Sequence, residues 1–148
     1  MRSLNILRVT ALLMTPLTPP LAGEAPPLSI DVYTTTARPI TLGQVARNPS
    51  IVLNVIEVDA IEGFETTLSL GLSNDPDTAQ RTVRARLAAL DDHVSATLQK
   101  SAMGLASAAQ LGIDRTPAIV FNHTAVVYGV TDLTEALRRF RDHTASPQ

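Results

Sequence analysis

The chain has 148 residues, 45% of them hydrophobic, a formal net charge of −2 and no cysteine. This length and composition fit one soluble globular domain. The lack of cysteine excludes thiol chemistry. No basic tract is long enough to follow a phosphate backbone, so we expect no nucleic-acid partner.

The N-terminus has the three-part layout of a secretory signal peptide. MRSLNILR carries two arginines and no acid, VTALLMTPL is a short apolar run, and TPPLAGEAPP is rich in proline and small residues. We predict a signal peptide over residues 1–22, cleaved after Ala22, and a Pro-rich linker over 23–27. The alternative is an uncleaved anchor or a buried helix, but a spanning helix needs roughly 20 apolar residues. After cleavage we expect no stable membrane span. Loss of Arg2 and Arg8 from 12 basic residues leaves 10 against 14 acidic ones, a charge of −4.

The first predicted elements of the domain are two strands. LSIDVYTT, residues 28–35, alternates in hydrophobicity. IVLNVIEVDA, residues 51–60, is a β-branched run, which predicts an interior strand covered on both faces. Between them, TLGQVARNP predicts one helical turn capped by Thr41. About 15 residues separate the strands, enough for a crossover that makes them parallel.

A helical region follows. AIEGFETTLSLGL, residues 60–72, predicts a weak helix, and Asp75 with Pro76 marks a clear helix start. Apolar residues then recur every three or four positions as far as Leu111. One straight helix over residues 76–111 would be roughly 54 Å long, which exceeds a small domain. We therefore predict a bend or break between residues 101 and 104.

The last predicted elements are a hairpin and a closing helix. The strands of the hairpin are residues 118–121 and 125–128, with a turn at Asn122-His123. Thr131 or Asp132 is predicted to cap a helix that ends near residue 142. We expect a domain over residues 28–143, with a helical insertion at about 61–111, and a flexible tail over 144–148. This order predicts an α/β fold with a mixed central sheet: β-α-β, a long helical crossover, then β-β-α.

The element order and the segment TPAIVF resemble thioredoxin-like proteins. Those proteins have a proline, usually cis and often preceded by Thr or Val, at the start of their third core strand, and Pro117 after Thr116 matches it. TTTARP, residues 34–39, stands where they place a Cys-x-x-Cys motif. Hydroxyl groups cannot exchange disulfides, so the chain cannot be a thiol oxidoreductase.

The chain also resembles a narrower group, the small exported thioredoxin-like proteins encoded within integrating conjugative elements. The resemblance rests on the signal peptide, DVYTTTARPI, VIEVDA and LGIDRTPAIVF…VVYG, and covers nearly all of residues 28–142. It implies a periplasmic component or assembly factor of a conjugative, type IV secretion-related apparatus. Its partners would be other proteins of that machinery.

A partner-binding site is predicted on the two segments that carry this resemblance. Backbone groups beside a cis proline can pair with an extended peptide by strand addition, and the Arg38 guanidinium could hold a carboxylate of the partner. The alternatives are that Pro117 only shapes the strand and that Arg38 is solvated. The predicted contact residues are Thr34, Thr35, Thr36, Arg38, Thr116 and Pro117.

No catalytic residue, cofactor or metal ion is predicted. His93, His123 and His143 lie on a helix, in a turn and in the tail, without metal-ligand spacing, and no GxSxG motif occurs. The alternative is a hydrolase or another non-thiol enzyme on the same scaffold, built from Glu57, Asp59 and a histidine. A convergent acid–base cluster in a closed pocket would favour that alternative.

Overall fold

The structure, a computed structural model, describes residues 26–145. The predicted signal peptide lies outside the described residues, as do most of the predicted linker and residues 146–148. Within the described range, no helix is both long enough and apolar enough to cross a membrane.

Four strands form one mixed sheet. They are β1 (Leu28–Thr34), β2 (Ile51–Glu57), β3 (Ala118–Phe121) and β4 (Ala125–Tyr128). Their order across the sheet is β2-β1-β3-β4. β1 is parallel to β2 and antiparallel to β3, and β3 is antiparallel to β4. The predicted parallel pair and hairpin are therefore confirmed.

The remaining elements are helices. They are a 3-10 helix (Gly43–Arg47), α1 (Ala60–Ser69), α2 (Pro76–Ala88), α3 (Asp92–Gln110) and α4 (Leu133–Ala145). The 3-10 helix lies in the first crossover, α1 to α3 fill the second, and α4 closes the chain after the hairpin. With the strand order, this is the predicted thioredoxin-like α/β fold.

Each face of the sheet has its own core, because neighbouring residues of a strand point to opposite faces. One face packs against the 3-10 helix and α4, and there the rings of Phe121 and Phe140 stack with centroids 4.4 Å apart. The other face packs against the C-terminal part of α3, through Tyr33, Ile56 and Ala108. The second core is smaller and leaves part of its face uncovered.

β2 shows where the prediction of an interior strand is wrong. It lies at the edge of the sheet, Val52 is 49% exposed, and Asn54 is exposed as well. Helix α3 lies close against this face at Ile56, near the end of β2, and not at Val52. A β-branched run has the same appearance in an edge strand as in a central one when the neighbouring strand is unknown.

The predicted break in the long helix is real, but its predicted position is wrong. α2 ends at Ala88 and α3 begins at Asp92, because the Asp91 carboxylate accepts a hydrogen bond from the Val94 N–H at 2.8 Å and caps a new helix. Ser101 and Gly104 are buried inside an unbroken α3. Their small size lets α3 approach β2, where the Ser101 hydroxyl donates to the Glu57 carbonyl at 2.6 Å.

The two ends of the fold are joined near the start of α4. Thr41 does not cap the 3-10 helix, whose N-cap is Leu42. Instead, the Thr41 N–H donates to the Thr131 carbonyl at 2.8 Å, and its own carbonyl accepts from Leu133 at 2.9 Å. These bonds fix the crossover loop against the final helix.

The caps of α2 and α4 agree with the sequence. The Asp75 carboxylate accepts from the Thr78 N–H at 2.9 Å, and Asp132 accepts from the Thr134 N–H at 2.8 Å. Of the two candidates for the last cap, Asp132 is therefore confirmed. α4 continues to Ala145, so its last two residues fall in the segment expected to be a flexible tail.

Candidate functional site

The six predicted contact residues lie together at one end of the sheet. β1 ends at Thr34, and Tyr33 pairs with Ala118, which brings the loop after β1 beside the residues that precede β3. The Thr116-Pro117 peptide bond is cis, as predicted. We call the surface formed by residues 34–38 and 116–117 the loop–proline surface.

The loop after β1 is a closed turn. The Thr34 hydroxyl donates to the Arg38 carbonyl, and the Arg38 N–H donates to the Thr35 carbonyl at 2.9 Å. Thr34 is 3% exposed, so its side chain supports the turn from inside. Thr36 and Arg38 are exposed, and they are the members of this loop best placed to meet a partner.

Asp59 fixes the outer part of the same loop. Its two carboxylate oxygens accept from the Thr36 N–H at 3.1 and 2.9 Å. Asp59 follows β2, which is parallel to β1, so the C-terminal ends of both strands lie at the same end of the sheet. The acid that could have been catalytic is thus an acceptor for the loop backbone.

Arg38 joins the two halves of the loop–proline surface. Its Nη1 donates to the Thr116 carbonyl oxygen at 3.2 Å. A guanidinium has five N–H donors, so most of them stay available to an acceptor outside the chain. The Thr116 N–H, in contrast, donates to no acceptor within residues 26–145. The surface therefore offers one backbone donor and one fixed cation side by side.

A second arginine borders this surface and was not predicted. Arg115 lies 4.9 Å from the centroid of the Tyr128 ring and pairs with Asp114 at 3.0 Å. The sequence signal that could have identified Arg115 is its position next to Thr116. Its contact with Tyr128 arises only when β3 and β4 pair.

The residues of the enzyme alternative do not form one cluster. Glu57 and Asp59 lie at the C-terminal end of β2, whereas His123 lies in the β3–β4 turn, at the opposite end of β1. His93 is on α3 and His143 is near the end of α4. Across the described residues, no group of three or more histidine or acidic side chains is placed to hold a metal ion.

His123 instead contacts an acid that was not predicted, Asp31 in β1. The His123 Nε2 lies 3.1 Å from Asp31 Oδ2, and the Asn54 amide donates to Oδ1 at 2.8 Å. Next to this group, burial raises the pKa of the Tyr33 phenol; a hydrogen bond with Ser107 opposes that rise and the Asp31 charge adds to it. The sequence signal that could have identified Asp31 is an acidic residue among apolar residues in the middle of a strand.

Comparison with known proteins places the chain in a family. The search of curated proteins found no match. Among solved structures, the chain is similar to a thioredoxin-like oxidoreductase from Silicibacter pomeroyi DSS-3, with 16% sequence identity and a TM-score of 0.35 over 80% of this chain and 88% of the other. The sequence profile of one family matches residues 29–146. The chain belongs to that family, described as "Protein of unknown function (DUF1525)".

Proposed function

We propose that the chain is a non-catalytic, thioredoxin-like binding protein that acts in the periplasm. It would serve as a component or assembly factor of a conjugative DNA-transfer apparatus and hold a protein or peptide partner on its loop–proline surface. The observation that carries this proposal is the bond from Arg38 to the Thr116 carbonyl. It joins both halves of the surface in a chain that has no cysteine.

The chemistry of the surface supports binding of an extended segment. The free Thr116 N–H can donate to a carbonyl of the partner, as in strand addition. The remaining donors of Arg38 suit a carboxylate on the same partner, because a guanidinium binds carboxylates with two parallel hydrogen bonds. Asp59 holds the backbone of Thr36, and both Thr36 and Arg38 are exposed.

The biological setting is supported by the resemblance to exported proteins of conjugative elements and by the predicted signal peptide. It can be tested in a donor strain that encodes the chain. We expect deletion of the gene to lower the conjugation frequency and the wild-type chain to restore it. A deletion strain that transfers DNA at the normal frequency would contradict this setting.

The role of the surface is tested in the same strain with Arg38→Glu, which reverses the charge that faces the partner. Arg84→Glu is the matched control, because Arg84 is exposed on α2 and forms no ion pair or hydrogen bond with other described residues. Arg84→Glu should restore transfer and Arg38→Glu should not, at equal protein abundance on an immunoblot. Full restoration by Arg38→Glu would show that the partner binds elsewhere.

A further inference from the structure

A second candidate site lies between α3 and the sheet, away from the loop–proline surface. A pocket of about 520 Å³ is lined there by β1 and β2, by α3 and by the β3–β4 turn. Sites for small ligands commonly have volumes of about 300–1,000 Å³. Its lining includes Asp31, Asn54, Ile56, Lys100, Met103 and His123.

The sheet side of the pocket contains a buried carboxylate. Asp31 is 6% exposed; its Oδ1 accepts a hydrogen bond from Asn54, and its Oδ2 lies 3.1 Å from the Nε2 of His123. A carboxylate can accept about four hydrogen bonds, so Asp31 has capacity for further donors. Burying a charge costs several kcal/mol of effective penalty. A carboxylate that is buried, incompletely paired and open to a pocket is suited to a donor from outside the chain.

The turn that carries His123 has an unfavourable backbone for this residue. Asn122 and His123 have φ angles of +49° and +57°, and turns of this kind favour glycine at the second position. Asn122 is fixed by two hydrogen bonds with the backbone of Ser29, at 2.9 and 3.1 Å. His123 has no such backbone role, and its side chain lies against Asp31. Residues held in disfavoured backbone regions concentrate at functional sites.

The helix side of the pocket carries the opposite charge and an apolar group. Lys100 is exposed and forms no ion pair or hydrogen bond with any residue that the structure describes. Met103 is 66% exposed and lines the same opening, as does Ile56 from the sheet. The pocket thus presents a carboxylate on the sheet, an unpaired ammonium group on the helix, and apolar surface.

We propose that this pocket binds a free α-amino acid with an apolar side chain. The ammonium group of the ligand donates to Asp31, its carboxylate contacts Lys100, and its side chain packs against Met103 and Ile56. The two charges of a zwitterion match the opposite charges of Asp31 and Lys100. An amine or a carboxylic acid alone matches only one of them. The inference does not rest on the function proposed above, since the two sites share no residue.

The first test titrates the mature chain with L-leucine and follows backbone and side-chain NMR signals. We expect saturable shifts centred on Asp31, Lys100 and His123, with a dissociation constant of about 1 mM or lower. Two analogues separate the charges: 4-methylpentanoic acid lacks the ammonium group, and 3-methylbutylamine lacks the carboxylate. Each should bind about tenfold or more weakly than leucine, because each leaves one charged contact unmade. No saturable shift, or an analogue that binds as tightly as leucine, would overturn the proposal.

The second test uses variants. Lys100→Met removes the exposed charge at similar length and should weaken leucine binding about tenfold while leaving 3-methylbutylamine unaffected. Asp31→Asn should weaken the binding of both leucine and 3-methylbutylamine, because both carry an ammonium group. Because Asp31 is buried, Lys100→Met with an unchanged circular dichroism spectrum is the decisive variant, and Arg84→Met is its matched control. Leucine binding that is equal in Lys100→Met and wild type would overturn the proposal.

Discussion

Gly104 provides a direct test of how closely α3 approaches the sheet. A Cβ atom built on Gly104 would lie 2.3 Å from Ile56 Cγ2 and 3.1 Å from its Cγ1, well inside contact distance. In an ordinary helix, replacing glycine with alanine gains about 1 kcal/mol of stability. At this position the added methyl must displace a buried strand residue, and overpacking of this kind typically costs about 1–3 kcal/mol.

The matched control is Gly63 in α1, where an added Cβ would meet no atom within 4 Å. Gly63→Ala should stabilise the protein by about 1 kcal/mol. Gly104→Ala should leave it about 1–3 kcal/mol less stable than Gly63→Ala does, by the overpacking term. The stabilising effect of alanine in a helix should therefore be measurable at position 63 and be offset by overpacking at position 104.

A double-mutant cycle isolates the contact. Ile56→Ala should cost about 2–5 kcal/mol by itself, because Ile56 is 6% exposed. In that background the Cγ1 and Cγ2 atoms are absent and only the Cβ of residue 56 remains, 3.3 Å from the added methyl group, so Gly104→Ala should destabilise the protein less than it does in the wild type. The measurement is urea unfolding followed by circular dichroism. If Gly104→Ala stabilises the wild-type protein as much as Gly63→Ala does, the close packing of α3 on β2 is wrong.

Three further predictions concern charge and capping. Hydrogen bonds from Arg138 and the next arginine hold the pKa of Glu135 at about 2, below its usual 4.5. Glu135→Gln should therefore lower the urea midpoint above pH 4.5 and have a much smaller effect near pH 2, where the wild type loses most of this contribution; an equal difference at both pH values would contradict this. Asp91→Ala should cost about 1 kcal/mol by removing the cap of α3, and Asp91→Ser should keep most of that stability; equal losses would show that the cap is unimportant. Burial raises the pKa of Tyr33 above 10, so stability should fall as the pH rises past 10, less steeply in Tyr33→Phe; parallel curves for the two proteins would contradict this.

Most of the fold could be predicted because its signals are local. Alternation and β-branching located the strands, and Asp75 with Pro76 marked the start of α2. The edge position of β2 could not be predicted, since a strand's neighbours are decided by long-range pairing. The helix break was misplaced because Ser101 and Gly104 look like helix breakers in the sequence. In the structure, their small size instead permits contact with β2.

The candidate sites divide along the same line. The predicted contact residues come together because the proline motif and the loop after β1 occupy known places in one fold. The bond from Arg38 to the Thr116 carbonyl joins residues far apart in the sequence, and nothing local specifies it. The contact between Asp31 and His123 also depends on the antiparallel pairing of β1 with β3. Nothing in the sequence indicates that Asp31, in a strand, and His123, in a distant turn, are neighbours.

The central claim is that the loop–proline surface holds a partner in the periplasm, and photo-crosslinking in donor cells tests it most directly. A benzoylphenylalanine introduced at position 36 replaces Thr36, which is exposed in the same loop as Arg38. The control position is 85, exposed on α2. We predict a specific adduct with a protein of the conjugative apparatus from position 36, none from position 85, and loss of the adduct in Arg38→Glu. No adduct from position 36, or the same adduct from both positions, would contradict the account.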